Sequence, residues 1–186
     1  MKIKGSGSYV DASGVRHEVK GLGSLSDDTA LHSLKVSGTF EFGKISCDKI
    51  DVSGKCEGGS VNAKDFSVSG KIEVESVAAD EVSINSRSGS IDDLRCGKLK
   101  IFNRTSEVGA TLFAKILGGH GAQVDDKSRL RVKNISADKV ELENCEVDVI
   151  KCRDAFIGTN CAIAKLFVAG ECNVADDSTV GETVRT

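Results

Sequence analysis

LKVSGTFEFGKISCDK (34–49), IDVSGKCEGGSVNAKD (50–65), FSVSGKIEVESVAADE (66–81) and VSINSRSGSIDDLRCG (82–97) are four consecutive segments that align with a 16-residue period. One apolar column runs Ile3, Val19, Val36, Val52, Val68, Ile84, Ile101, with steps of 16, 17, 16, 16, 16 and 17. Two residues on, a second column reads Gly5, Gly21, Gly38, Gly54, Gly70, Ser86, Asn103. Fixed-period self-similarity is the mark of a repeat architecture. Within a repeat the apolar residues come in pairs two apart, as in Phe66/Val68, Ile72/Val74 and Val77/Ala79. Spacing by two is the strand period, so each repeat reads as three short strands joined by corners. The predicted fold is all-β: a single-stranded parallel β-helix, three-sided, with about 16 residues per turn.

The rest of the sequence fits that coil. Gly and Asn tolerate the left-handed backbone of a tight corner. The chain of 186 residues has 20 Gly and no Pro, and Pro cannot donate to a ladder. The Cys column Cys47, Ala63, Ala79, Cys96, Ala137, Cys152 places small apolar residues where a narrow core closes. Cys56, Cys145, Cys161 and Cys172 fall where second strands begin. An odd count of seven without a CxxC argues against a disulfide framework, and a metal cluster is disfavoured by the wide spacing. The repeat breaks after Asn103 and resumes at 131–174. The expected organisation is N-terminal turns over 1–103, an insertion over 104–130 with a short helix near Val108–Leu117, C-terminal turns over 131–177 and a polar tail over 178–186. Ten or eleven turns are expected, with Leu142, Ile157 and Val168 continuing the first-strand column and Asn144, Thr159 and Gly170 its corners.

Composition excludes several classes. A net charge of -3 lacks the basic excess of a nucleic-acid binder. No apolar run approaches a membrane span, and MKIKGSGSYV is not a signal peptide, so a cytoplasmic protein is expected. No cofactor or metal site is expected.

The KVSG, DVSG and SVSG repeats, with alternating apolar pairs and no Pro, resemble the bactofilins, polymer-forming bacterial cytoskeletal proteins. The match is to their longer Firmicutes-type branch, similar in an opening like KIKGSGS, an interruption like LFAKILGG and an ending like VELENCEVDVIKCRDAFIGTNCAI. The resemblance spans nearly the whole chain. It implies a right-handed β-helix that assembles end to end without nucleotide and scaffolds cell shape, envelope organisation or motility. Unlike the best-known members, this chain carries an insertion and no Pro-rich tails.

A solenoid has two open ends that are either capped or used. No capping helix is evident, so self-association through the end turns is expected. Its candidate residues are Ile3, Val10, Val15 and Val19 at one end and Phe167, Val168, Cys172 and Val174 at the other. A charge at Val19 or Val168 should then block assembly. The partner is the chain itself, with the inner membrane surface or envelope proteins as further candidates. A membrane-associated scaffold would use Leu112, Phe113, Ile116 and Leu117, although these residues also suit covering the solenoid side. Two enzyme readings are weaker. IGTNCAI (157–163) looks like a unit of left-handed β-helix acyltransferases, but their turns hold 18 residues, and only His17, His32 and His120 offer an imidazole. The pairs Asp27–Asp28, Asp92–Asp93, Asp125–Asp126 and Asp176–Asp177 are candidates for lyase-type carboxylates, yet each lies at a break in the repeat, where turn chemistry explains it.

Overall fold

The computed structural model describes residues 6–11, 13–19, 22–25, 29–86, 88–103 and 129–186. The described chain is a parallel β-solenoid of about 8 turns, without helix. Its strands are β1 (Ser6–Asp11), β2 (Arg16–Val19), β3 (Gly23–Leu25), β4 (Thr29–Asn85), β5 (Gly89–Phe102), β6 (Leu130–Leu142), β7 (Cys145–Ile157), β8 (Ala162–Val168), β9 (Cys172–Val174) and β10 (Thr179–Arg185). β4 covers several turns in one element, because it bends at the corners without leaving the ladder.

The paired apolar residues face inward on three faces. Face 1 carries Leu34/Val36 through Leu99/Ile101 to Val140/Leu142, and face 2 carries Ile72/Val74, Leu130/Val132 and Cys145/Val147. Face 3 carries Ile45/Cys47, Leu94 and Ile135. These side chains form one continuous buried core. Ile72, Ile84, Ile91 and Ile150 are at most 1% exposed, and each such side chain contributes about 1.5–3 kcal/mol through burial.

The glycine column makes the corner between faces 1 and 2. Gly38, Gly54 and Gly70 hold φ of 127°, 128° and 130°, a region that L side chains rarely adopt. A Cβ on Gly70 would lie 2.0 Å from the Gly54 carbonyl oxygen, so stacking as well as backbone freedom requires glycine. Ser86 replaces it one turn later and is buried, its hydroxyl donating to the Ser88 carbonyl at 2.8 Å. Asn144 and Asn160 take this role further on, at φ 55° and 56°. The left-handed residue is thus Asn160 and not Thr159.

Ladder register passes across the insertion without a slip. Ile91 pairs with Val132, Leu94 with Ile135 and Ile101 with Leu142. Asn103 and Arg129, on either side of 104–128, thus stand at the corner that the glycine column makes in the earlier turns. Leu130, expected inside the insertion, is already fully buried on face 2. The short helix expected near 108–117 lies outside the described residues.

Three expectations are corrected. First, the turns are fewer, because the N-terminal segment is a hairpin. β1 pairs antiparallel with β2, Tyr9 opposite His17, and antiparallel with β4, Tyr9 opposite Leu34. Val19 pairs with Gly7 and Gly7 with Val36, so Val19 stays level with the Val36 column but with antiparallel β1 between them. The Asp11 carboxylate accepts from the Ser13 and Val15 amides at 3.0 Å each, and Gly14 has φ 85°. That is the Asx and glycine chemistry of a tight turn. Second, Val168 pairs with Cys152 on face 3, and the last face 1 strand is β9, with Cys172 opposite Ala155. Third, the expected polar tail is ordered strand: β10 pairs parallel with β8, Val180 opposite Ile163 and Arg185 opposite Val168.

Candidate self-association surfaces

The C-terminal end is an open turn. β9 lies on face 1, the start of β10 on face 2 and its remainder on face 3, and each pairs on one side only. The turn is fastened to the one before it by the Ala175 amide on the Ile157 carbonyl at 2.8 Å and the Thr179 amide on the Cys161 carbonyl at 2.9 Å. Ser178 clasps the corner, donating to the Gly158 carbonyl at 2.6 Å and accepting from the Cys161 amide at 2.8 Å. Beyond the turn, the outward edge has no neighbouring strand among the described residues. Val174 is 42% exposed there, and Glu171, Asp176, Asp177 and Glu182 against Arg185 make the end acidic.

At the N-terminal end the hairpin adds two strands on face 1, while β3 adds one on face 2 above Phe40–Phe42. Two antiparallel steps restore the chain sense, so outermost β2 runs parallel to the face 1 strands of β4. An antiparallel cover on the first turn is a device the repeat pattern does not reveal.

The expected end residues divide accordingly. Val174 and half-buried Cys172 do lie on the final turn. Val168 is fully buried beneath it, and Phe167 lies on the outer side of face 3, with the Lys165 and Lys151 ammonium groups 5.4 and 5.9 Å from its ring. Both belong to the penultimate turn, because β10 covers them. Val15 is 50% exposed in the hairpin turn, and Val10 is half-buried in β1, between Arg16 and Ser33. Ile3, the side chain of Val19, and Leu112, Phe113, Ile116 and Leu117 lie outside the described residues. The sequence missed Val180, half-buried on the last turn below Ile163. Its spacing of 17 from Ile163 was the available signal.

Of the described side chains weighed for catalysis, His32 and Asp92 have ion-pair partners. His32 Nδ1 lies 2.6 Å from Asp48, whose other oxygen is 2.8 Å from Lys64, an exposed corner ladder. Lys64 and then His32 hold the Asp48 carboxyl below its usual range. Asp92 pairs with Lys133 at 2.8 Å, while Asp176 and Asp177 form the turn between β9 and β10. His17's side chain, His120, Asp27, Asp28, Asp125 and Asp126 lie outside the described residues.

The cysteines line the core. Burial pushes the Cys56 and Cys96 thiols up to about 12 and those of Cys47 and Cys152 to about 11. Cys145 and Cys161 stack with sulfurs 3.7 Å apart. Cys172 begins a face 1 strand and does not join Cys56, Cys145 and Cys161 on face 2. Among the described residues no three His, Cys, Asp or Glu side chains converge on a metal position, and no helix is long and apolar enough to cross a membrane.

No protein-family model, curated protein or solved structure matches the chain.

Proposed function

We propose that this protein is a non-catalytic structural element that assembles end to end, without nucleotide, into a bactofilin-like polymer scaffolding cell shape, envelope organisation or motility. The observation that carries the reading is the last turn, β9 and β10, whose outer edge has no partner strand among the described residues on any of the three faces. Such an edge is a template for another chain unless it is blunted.

Strand sense favours head-to-tail contact. The edge of β2 that has no partner strand among the described residues runs in the direction that β9 of a second copy continues as a parallel pair. Charge favours it too. The first twenty residues hold Lys2, Lys4, Arg16 and Lys20 against Asp11 and Glu18, opposite in sign to the acidic last turn. A heterologous contact whose rotation does not close produces a filament.

The test is sedimentation velocity across a protein concentration series with no nucleotide, for the parent and Val174→Asp. The parent should sediment as growing polymers and the variant as single rods. Single rods for the parent at every concentration and salt would overturn the reading.

A further inference from the structure

Seven charged residues form one row along face 1, each immediately preceding the first inward residue of its strand. In chain order the row reads Lys49, Asp65, Glu81, Lys98, Lys139, Asp154, Glu171, a sign pattern of plus, two minus, two plus, two minus. The register fixes much of the row: Glu81 pairs with Lys98, Lys98 with Lys139 and Lys139 with Asp154. Two shallow grooves of about 620 and 680 Å³ lie along this face and meet at Lys100, Lys139 and Glu141.

The doublets are costly within one chain. Lys98 and Lys139 are direct ladder neighbours of like sign, as are Asp65 and Glu81 one repeat apart, and like charges placed opposite each other destabilise a sheet; Lys98 on Glu81, Lys139 on Glu141 and Arg153 on Asp154 offset part of this within the chain. Strict alternation would avoid this. The doublets become complementary when the row meets a reversed copy of itself. With the two-fold axis level with Glu81 and Lys98, Lys49 meets Asp154, Asp65 meets Lys139, and Glu81 meets Lys98. Glu171 then faces Ser33. The neighbouring outward row adds no like-charge contact: Lys35 meets Asn173, Asp51 meets Phe156, Ser67 meets Glu141 and Ser83 meets Lys100. Face 2 lacks this property, since the same operation sets Glu73 against Glu146.

We infer that face 1 is an isologous interface, on which a second copy of this chain lies antiparallel along the side of the solenoid. About 8 turns at ~4.8 Å each, with strands ~15 Å wide, bury about 1,100 Å² in total, the size of a weak, concentration-dependent contact. The inference concerns the sides of the rod and holds whether or not its ends polymerise.

The test is carbodiimide cross-linking of the full chain, mixed from unlabelled and ¹⁵N-labelled protein, with isotope-mixed peptides identified by mass. Asp65 and Lys139 sit three turns apart, too far to cross-link within one rod, so a mixed Asp65–Lys139 peptide reports the reversed pair. Asp65→Lys alone and Lys139→Glu alone should each weaken pairing on the order of tenfold, because symmetry repeats the clash. Pairing is read from the mixed Glu81–Lys98 peptide in these variants. The double variant Asp65→Lys/Lys139→Glu should restore it. Absence of the Asp65–Lys139 mixed peptide in the parent, or no restoration in the double variant, would overturn the inference. Asp65 is exposed, while half-buried Lys139 pairs with Glu141 at 2.9 Å. Lys139→Glu should therefore lower thermal stability by no more than a surface ion pair is worth, and restored pairing in the double variant separates the interface from that intrachain loss. End-to-end polymers without these peptides would sink lateral pairing alone.

Discussion

Val168→Asp and Val174→Asp differ sharply in expected outcome, although the two residues are only six apart. Val168 is fully buried, lying between Cys152 on one side and Arg185 on the other. Replacing it forfeits about 2 kcal/mol of apolar burial and strands a carboxyl in the core for about 2 kcal/mol or more. A loss of about 4 kcal/mol follows, near a thousandfold in local opening. Solenoid turns contact only their neighbours, so the loss stays local. Val174 is 42% exposed, and an aspartate there should change stability by less than about 0.5 kcal/mol. Hydrogen exchange resolves the two cases. Val168→Asp should strip protection from amides 162–185 and leave those of 34–142 protected, whereas Val174→Asp should keep the parent pattern while losing assembly. Equal protection in both variants would refute the placement of β10 over Val168.

Gly70→Ala should cost about 2 kcal/mol or more in urea unfolding, because φ is +130° and the new Cβ meets the Gly54 oxygen at 2.0 Å. Gly97→Ala, with its nearest neighbour at 3.0 Å and no positive φ, should cost less than half as much; equal costs would contradict the corner assignment. The core thiols predict alkaline weakening. Cys56 and Cys96 have folded values raised to about 12, so their contribution is complete below the unfolded value near 8.5 and is lost as pH rises toward 12. Urea midpoints should fall above pH 9 in the parent and fall less in Cys56→Ala/Cys96→Ala; identical pH slopes would contradict the burial of these thiols. Folded protein should likewise resist iodoacetamide at Cys56 at pH 8, and rapid labelling there would say that face 2 is open.

The solenoid was legible because its period is written in two independent columns. Val36, Val52, Val68 and Ile84 mark the inward face, and Gly38, Gly54 and Gly70 mark the corner. Cys47, Ala63, Ala79 and Cys96 fixed the narrow third face for the same reason, since close packing admits only small side chains there. The ends were not legible by period. Val19 matches the apolar column by spacing and does lie level with Val36, yet the Asp11–Gly14 turn sets antiparallel β1 between them, and spacing alone cannot show an inserted strand. At the other end Val168 stands 11 residues after Ile157, which fits a shortened turn as well as a change of face. Only the pairing partners separate the two. Thr179–Arg185 looked like a tail because an end turn has little core to cover, so its outward and inward residues are similarly polar.

Fibre diffraction from aligned polymers of the purified chain, grown without nucleotide, is the most direct test of end-to-end assembly. Rods stacked along their own axis keep the strands perpendicular to the filament, which predicts a meridional reflection near 4.8 Å that weakens when Val174→Asp is mixed in. A solution of short rods that never orders, or filaments with that spacing on the equator, would contradict it.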